Sequence, residues 1–224
     1  MREITGPDVA RMFGLGFCLP TACVVLGVIT SVLAHSTWFF VAGVTIALLV
    51  GAWAIWSFFQ NGWTFTDFGF VPLAKPAWHL LWQIPIMIVS ALVIAAGIGA
   101  LFRVEPSAEQ NHLESVDPQY APLMLVVIVL LAVIAGPIWE EVVFRRFLMG
   151  WLDYRWNMPA LSIVGSSLVF GLVHAMPPVM IWAFLLGTCC AFLVRWYKSL
   201  WAGIIFHGFN NLLVTTGTAI AFFS

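Results

Sequence analysis

Charged side chains are scarce in this chain of 224 residues: Asp, Glu, Lys and Arg make up 8% of it, against 62% hydrophobic residues. Soluble domains carry about 25% charged residues, so this scarcity excludes an ordinary soluble protein. A basic tract is also lacking, and the formal net charge is −1. The chain therefore has no means of neutralising the several phosphates that nucleic-acid binding requires. These absences predict an integral membrane protein with no nucleic-acid partner.

Cysteine is rare as well, with four residues that all lie in apolar runs: Cys18, Cys23, Cys189 and Cys190. They form no CxxC pair and have no histidines at zinc-finger spacing, so neither a disulfide framework nor a zinc knuckle is expected. We predict that they are small buried hydrophobes. A secretory signal is not expected either, because the apolar run at 12–34 exceeds the usual length of about 7–15 residues.

Long apolar runs are abundant, and they predict an all-α polytopic transmembrane helix bundle of about seven or eight spans. We expect Pro137 to kink the long fourth span and Pro177 with Pro178 to form a turn. Residues 60–77 form an aromatic connector predicted to lie in the membrane interface, and residues 103–120 form one polar loop. The spans are predicted at residues 12–34, 37–59, 78–102, 121–152, 159–176, 178–195 and 200–222.

The two parts of the chain differ in motif content. Residues 1–120, with the first spans, the connector and the polar loop, carry no motif, whereas residues 121–224 form a predicted catalytic core. With the N-terminus in the cytoplasm, only Arg103 of the nine Lys and Arg residues lies on the far side. This distribution follows the positive-inside rule. We therefore expect a multi-pass protein of a prokaryotic plasma membrane with a cytoplasmic N-terminus.

Three polar constellations interrupt the later apolar runs. An ionised side chain at bilayer depth costs about 2.5–3.5 kcal/mol on insertion scales, so each constellation needs a reason. Neighbours at i,i+4 share one helix face, and an ion pair there reduces the cost of burial. Helix lengths at about 1.5 Å per residue allow all three to lie at one depth. The constellations are Glu140-Glu141-x-x-x-Arg145, Phe170-x-x-x-His174 and His207-x-x-x-Asn211.

These side-chain types suit the attack of water on an amide or ester. A carboxylate in a pocket of low dielectric constant can act as a general base, and a neutral histidine can assist the proton transfer. A second histidine and an asparagine amide can donate hydrogen bonds to a developing oxyanion. No cofactor is expected, although zinc stays an alternative, because Glu140, His174 and His207 are an acceptable ligand set. Against zinc, the sequence has no HExxH motif.

The motifs resemble those of the CPBP family, which comprises CAAX proteases and bacteriocin-processing enzymes, also called Abi proteins, and includes the Ras-converting endopeptidases. The matching segments are EEVVFR at 140–145, FGLVH at 170–174 and HGFNN at 207–211. The resemblance implies an intramembrane endopeptidase of glutamic type, or else a metal-dependent one. It also implies that Glu140 activates water, that His174 assists, that His207 and Asn211 stabilise the oxyanion, and that Glu141 and Arg145 position the site.

Several alternatives stay open. Arg146 stands where many relatives have glycine, which puts the local packing in question, and Glu141 with Arg145 could be purely structural.

A non-catalytic scaffold or bacteriocin-immunity protein should have lost a motif residue, and all are present. A proton-coupled transporter also buries Glu and His, but it should show paired repeats. The expected partners are the lipid bilayer and a membrane-associated or prenylated peptide or protein substrate.

Other polar residues are predicted to lie outside the site. Asn210 is expected to pack between helices. The remaining histidines are expected to be solvated: His35, His79 and His112.

Overall fold

The computed structural model describes residues 2–104, 125–126 and 129–223. Within these ranges the chain is helical and forms no strand, so the predicted all-α helical bundle is confirmed. Most of the predicted polar loop, His112 and the start of the predicted fourth span lie outside the described residues. The helices are α1 (Gly6–Leu33), α2 (Thr37–Phe59), α3 (Leu80–Phe102), α4 (129–156), α5 (Pro159–Leu172), α6 (Pro177–Tyr197) and α7 (Leu200–Phe223).

Four of the described helices are long and apolar enough to cross a membrane: α1, α2, α3 with its preceding turn, and α6. Helix α4 differs because its central turns carry four charged side chains, at 140, 141, 145 and 146. Helix α5 has 14 residues, or about 21 Å at roughly 1.5 Å per residue. That length is shorter than the hydrocarbon core of about 30 Å, so a helix of this length that begins at the membrane surface ends inside the bilayer.

Two predicted boundaries are wrong in this region. The predicted span 159–176 ends as a helix at Leu172, so His174 belongs to the following turn and not to the span. Pro177 and Pro178 do not form that turn but begin α6. Proline is tolerated in the first turn of a helix because the N–H it lacks would have no partner there.

Helix α4 changes its hydrogen-bond register along its length. Wide i→i+5 turns run over Val129–Ala135 and again over Glu141–Met149, with an ordinary α-helical segment, Gly136–Glu140, between them. Pro137 lies in the first turn of that segment, so the irregularity expected at this proline takes the form of a change of register. Wide turns of this kind are rare and are found frequently at functional sites.

The connector packs its aromatic side chains into the bundle. Trp63 and Phe68 are 4% and 1% exposed, and the Trp63 ring stacks on Phe147 of α4 with centroids 5.2 Å apart. Phe58, at the end of α2, contacts the same Phe147 ring at 5.0 Å. These two side chains therefore pack into the protein, whereas Phe65 is exposed, and the place of the connector in the membrane interface stays a prediction.

A polar node on the same connector joins it to the N-terminus and to α4. The Asp67 carboxylate accepts hydrogen bonds from the Thr64 backbone N–H (3.0 Å) and hydroxyl (2.7 Å) and from the Arg2 N–H (2.9 Å). Arg146 donates to the backbone carbonyls of Asp67 and Arg2, and its guanidinium lies 5.9 Å from the Trp63 ring. Arg146 thus joins α4 to the connector and to the N-terminal segment. These contacts show how an arginine packs where many members of the family have glycine.

We predict that Asp67→Asn lowers the thermal stability of the protein at pH 7. The hydrogen bonds from Thr64, followed by that from Arg2, lower the pKa of Asp67 below 3.8. A lowered folded-state pKa gives stability that is present above the unfolded-state value and is lost as the pH falls through the folded-state value. Melting curves at pH 7 and at stepwise lower pH should show the difference between wild type and variant closing below pH 3.8. Glu3→Gln, at an exposed position, is the control, and an equal loss in both variants would contradict the assignment.

Candidate active site

A buried ionic network links α4 with α7. The side chains of Glu141 and Arg145 are 0% exposed, and Arg145 Nη1 lies 3.4 Å from Glu141 Oε1. The same carboxylate oxygen lies 3.1 Å from Nδ1 of His207. An ionised carboxylate only accepts hydrogen bonds, so Nδ1 carries a proton and donates it to Glu141. The sequence motif predicted the first pair, and the fold adds the histidine.

His207 lies between two adjacent glutamates. Its Nε2 is 3.5 Å from Oε2 of Glu140, whereas its Nδ1 faces Glu141. Consecutive residues of a helix point about 100° apart, which explains how neighbours in sequence approach opposite edges of one ring. Glu141 is fully buried, whereas the Glu140 side chain is 30% exposed. The two carboxylates therefore occupy different environments and can serve different purposes.

The exposed edge of Glu140 faces an apolar cavity of about 470 Å³ between α1, α2 and α4. Among the described residues that line it, Glu140 is the one acidic group, and the others are mainly aliphatic and aromatic side chains such as Phe17, Val24 and Leu48. Trp139 also lines the cavity, and its indole N–H donates to the Gly16 carbonyl, which holds α1 against α4. The first two helices, in which the sequence shows no motif, thus supply most of the surface that Glu140 faces.

His174 reaches the site from the turn after α5. Its Nδ1 lies 2.8 Å from the Phe170 carbonyl oxygen. Because a carbonyl can only accept, Nδ1 carries a proton, and in the neutral ring Nε2 then keeps its lone pair. The Phe170 ring contacts both histidine rings, with centroids 4.9 Å from His174 and 5.7 Å from His207. Ala175 follows with φ of 60°, a left-handed conformation that costs a non-glycine residue free energy.

Asn211 bonds back to α4 in this structure. Its amide N–H donates to the Ala132 carbonyl at 2.8 Å, and its Oδ1 accepts from Asn210 at 3.0 Å. In the i→i+5 register of this segment, the Ala132 carbonyl would face residue 137, a proline without an N–H. Asn211 supplies a donor to that carbonyl. Its second amide N–H is what a developing oxyanion would use.

Two glycines that sequence reasoning missed make room for the buried pair. A Cβ on Gly203 of α7 would lie 2.6 Å from Glu141 Oε2, and a Cβ on Gly187 of α6 would lie 2.8 Å from Arg145 Nη2. The Arg145 guanidinium also lies 4.5 Å from the centre of the Phe170 ring. Small residues at helix interfaces allow such close approach, but a single sequence does not reveal which glycines face a given partner.

The potential metal ligands form a different group from the predicted one. In the described part of the chain, the ligand atoms that lie within 4.8 Å of one another belong to Glu141, Cys190 and His207. Of the four cysteines predicted to be buried, Cys190 is fully buried and Cys23 and Cys189 are partly buried, whereas Cys18 is exposed and the prediction is wrong for it. The Arg145 guanidinium, 3.4 Å from Glu141, opposes a second cation at that carboxylate. These residues therefore fit a dication poorly, and the zinc set Glu140, His174 and His207 stays a prediction.

The part of the chain that carries all of the predicted site residues matches a known family. Residues 122–213 match the family described as type II CAAX prenyl endopeptidase Rce1-like. The resemblance to the CPBP family is thereby confirmed. It rests on the segment that contains α4, α5, α6 and the first part of α7, and no solved structure matches the chain.

Two curated bacterial proteins are similar to this chain. It is 34% identical over 96 residues to the "Putative membrane peptidase YdiL" of Bacillus subtilis (strain 168), an alignment that covers 43% of this chain and 37% of that protein. It is 30% identical over 115 residues to the UPF0177 protein YbdI of Lactococcus lactis subsp. lactis (strain IL1403), over 50% of this chain and 56% of that protein. The chain therefore aligns with less than two thirds of either relative.

We predict that Gly203→Ala destabilises the protein by about 1–3 kcal/mol, the usual cost of overpacking a core. The added methyl group would lie 2.6 Å from Glu141 Oε2 and 2.8 Å from Val194 Cγ2. Either α7 moves away from α4 or Glu141 turns away from His207. Gly217→Ala on the same helix is the matched control, because a Cβ there meets nothing within 4 Å. Equal melting temperatures for the two variants would show that the close approach of α7 to Glu141 is not required.

Proposed function

We propose that this protein is an intramembrane endopeptidase in which Glu140 activates the water that hydrolyses a peptide bond. The observation that carries the proposal is the position of Glu140. Its carboxylate is partly exposed on the wall of an apolar cavity and lies 3.5 Å from His207. The match to a family described as CAAX prenyl endopeptidase and the printed name of the Bacillus subtilis relative support the same reaction class.

In the proposed first step, Glu140 removes a proton from water as the water oxygen attacks the carbonyl carbon of the scissile bond. The carbonyl π electrons move to its oxygen, which becomes an oxyanion. When the tetrahedral intermediate collapses, the C–N bond breaks and the leaving nitrogen takes up the proton that Glu140 received. General acid–base catalysis of this kind contributes about 10²–10⁴-fold to the rate.

The other polar side chains assist the same steps. The lone pair on Nε2 of His174 can accept a hydrogen bond from the attacking water, since its Nδ1 is held by the Phe170 carbonyl. His207 can donate from Nε2 to the oxyanion when it is protonated, and the flanking carboxylates of Glu140 and Glu141 would balance the imidazolium charge. The second amide N–H of Asn211 is the other proposed oxyanion donor.

Glu141 and Arg145 are proposed to position the site without contact with the substrate. Their side chains are 0% exposed, which removes them from any bound peptide. The hydrogen bond from His207 Nδ1 to Glu141 fixes the orientation of the imidazole ring. Arg145 balances the charge of Glu141, so the carboxylate can stay ionised inside the bundle.

The cavity suggests the class of substrate. Its mainly apolar walls suit a peptide segment or attached lipid that arrives from the bilayer, and we propose a membrane-associated or prenylated peptide or protein as the substrate. We further propose a prokaryotic plasma membrane with the N-terminus in the cytoplasm, in agreement with the distribution of basic residues. A metal-free, glutamic mechanism is part of the proposal.

We predict that Glu140→Gln lowers the rate of peptide cleavage by about 10²–10⁴-fold, because the amide has the same shape but is not a base. The purified protein would be reconstituted in liposomes with a panel of membrane-tethered and prenylated peptides, and the products identified by mass spectrometry. Glu3→Gln makes the same chemical change at an exposed position and should keep the wild-type rate. If both variants cleave as fast as the wild type, Glu140 is not the general base.

A further inference from the structure

A second cavity lies beside the C-terminal half of α4. It has a volume of about 360 Å³ and is formed by the connector at Gly69, the second half of α4 and the turn between α6 and α7. No residue proposed to touch the substrate lines it. The charged residues on its wall are Arg145, Arg146, Asp153, Arg195 and Lys198.

The balance of charge on this wall is positive. Arg145 is matched by Glu141, and Arg195 pairs with Asp153, which also accepts a hydrogen bond from Ser162. Arg195 Nε is nevertheless buried without a hydrogen-bond partner among the residues that the structure describes.

The positive charges of the other two cations, Arg146 and Lys198, are less fully balanced by paired carboxylates. Arg146 donates to the backbone carbonyls of Asp67 and Arg2, which are neutral groups, although the carboxylates of Asp67 and Asp8 also lie within electrostatic range. Lys198 is exposed and ends α6 in a left-handed conformation with φ of 50°. Among the described residues of the wall, guanidinium and ammonium groups therefore outnumber carboxylates, of which Asp153 is one.

The surrounding aromatic residues indicate the depth of this cavity in the membrane. Exposed aromatic side chains cluster where α4 and α6 end and α7 begins, and tryptophan and tyrosine in such positions lie at the level of the lipid headgroups. The basic residues at the same end make it the predicted cytoplasmic side. The aromatic residues are Tyr154, Trp156, Trp196 and Trp201.

We propose that this cavity binds the phosphate group of an anionic phospholipid. Arginine matches phosphate oxygens with paired N–H donors, and lysine adds a point charge. Basic pockets between transmembrane helices on the cytoplasmic side bind lipid headgroups in this way. A bound phosphate would bridge Arg146 of α4, Arg195 of α6 and Lys198 of the next turn. The lipid would thereby stabilise the packing of the connector against the helices that hold the active site.

The test compares Lys198→Gln with Lys75→Gln in detergent solution. Both changes remove one positive charge at the same end of the protein. Lys75, whose ammonium lies 4.5 Å from the Trp196 ring, does not line the cavity. Thermal stability would be titrated with short-chain phosphatidylglycerol, with phosphatidylcholine of the same chain length, and with inorganic phosphate, and these measurements need no enzymatic activity.

We expect phosphatidylglycerol to raise the melting temperature of the wild type more than phosphatidylcholine does. Lys198→Gln should weaken the apparent affinity about fivefold, which corresponds to about 1 kcal/mol for one basic residue near a membrane surface. Lys198→Arg and Lys75→Gln should bind as the wild type does. Equal weakening by Lys198→Gln and Lys75→Gln would overturn the site in favour of general surface attraction. An equal rise in melting temperature with inorganic phosphate would show that the bound phosphate need not belong to a lipid. Equal effects of phosphatidylglycerol and phosphatidylcholine would overturn the proposal.

Discussion

Glu141 and Arg145 hold opposite charges 3.4 Å apart where neither side chain is exposed, and the surrounding structure is arranged around that pair. Loss of either partner would leave a buried charge uncompensated, at a cost of about 3–5 kcal/mol. Gly187 and Gly203 lack the side-chain atoms that would displace the pair, and the Phe170 ring covers the guanidinium. His207 enters the same network through Glu141. The interaction therefore sets the distance between α4, α6 and α7.

The position of Glu140 depends on the packing of α4 that the Glu141–Arg145 pair stabilises. Glu140 lies on the same helix, but its side chain points about 100° away from that of Glu141, toward the apolar cavity rather than into the core. One helix thus carries a buried carboxylate that orients His207 and a partly exposed carboxylate that can meet a substrate. The second segment of wide i→i+5 turns begins at Glu141, so the helix changes its hydrogen-bond register between the two residues.

Much of this arrangement could be predicted from the sequence, because charge in an apolar run is costly and demands a partner. The i,i+4 spacing of Glu141 and Arg145 predicted their pairing, and the order of the three motifs indicated the resemblance to the CPBP family. The place of His174 in a turn could not be predicted, because apolar residues continue past Leu172 and give no signal of the helix end. The bond from Asn211 to the Ala132 carbonyl depends on the register of α4. That register is a property of the three-dimensional packing.

In the proposed reaction a protein carboxylate, and not a bound metal ion, activates the water. The most direct measurement is the metal content of the purified, catalytically active protein, determined by plasma mass spectrometry together with its rate of peptide cleavage. We expect far less than one zinc or other transition metal per chain, with a rate that does not change after chelation and metal replacement. One metal ion per chain, with activity that disappears on its removal and returns in proportion to the metal restored, would contradict it.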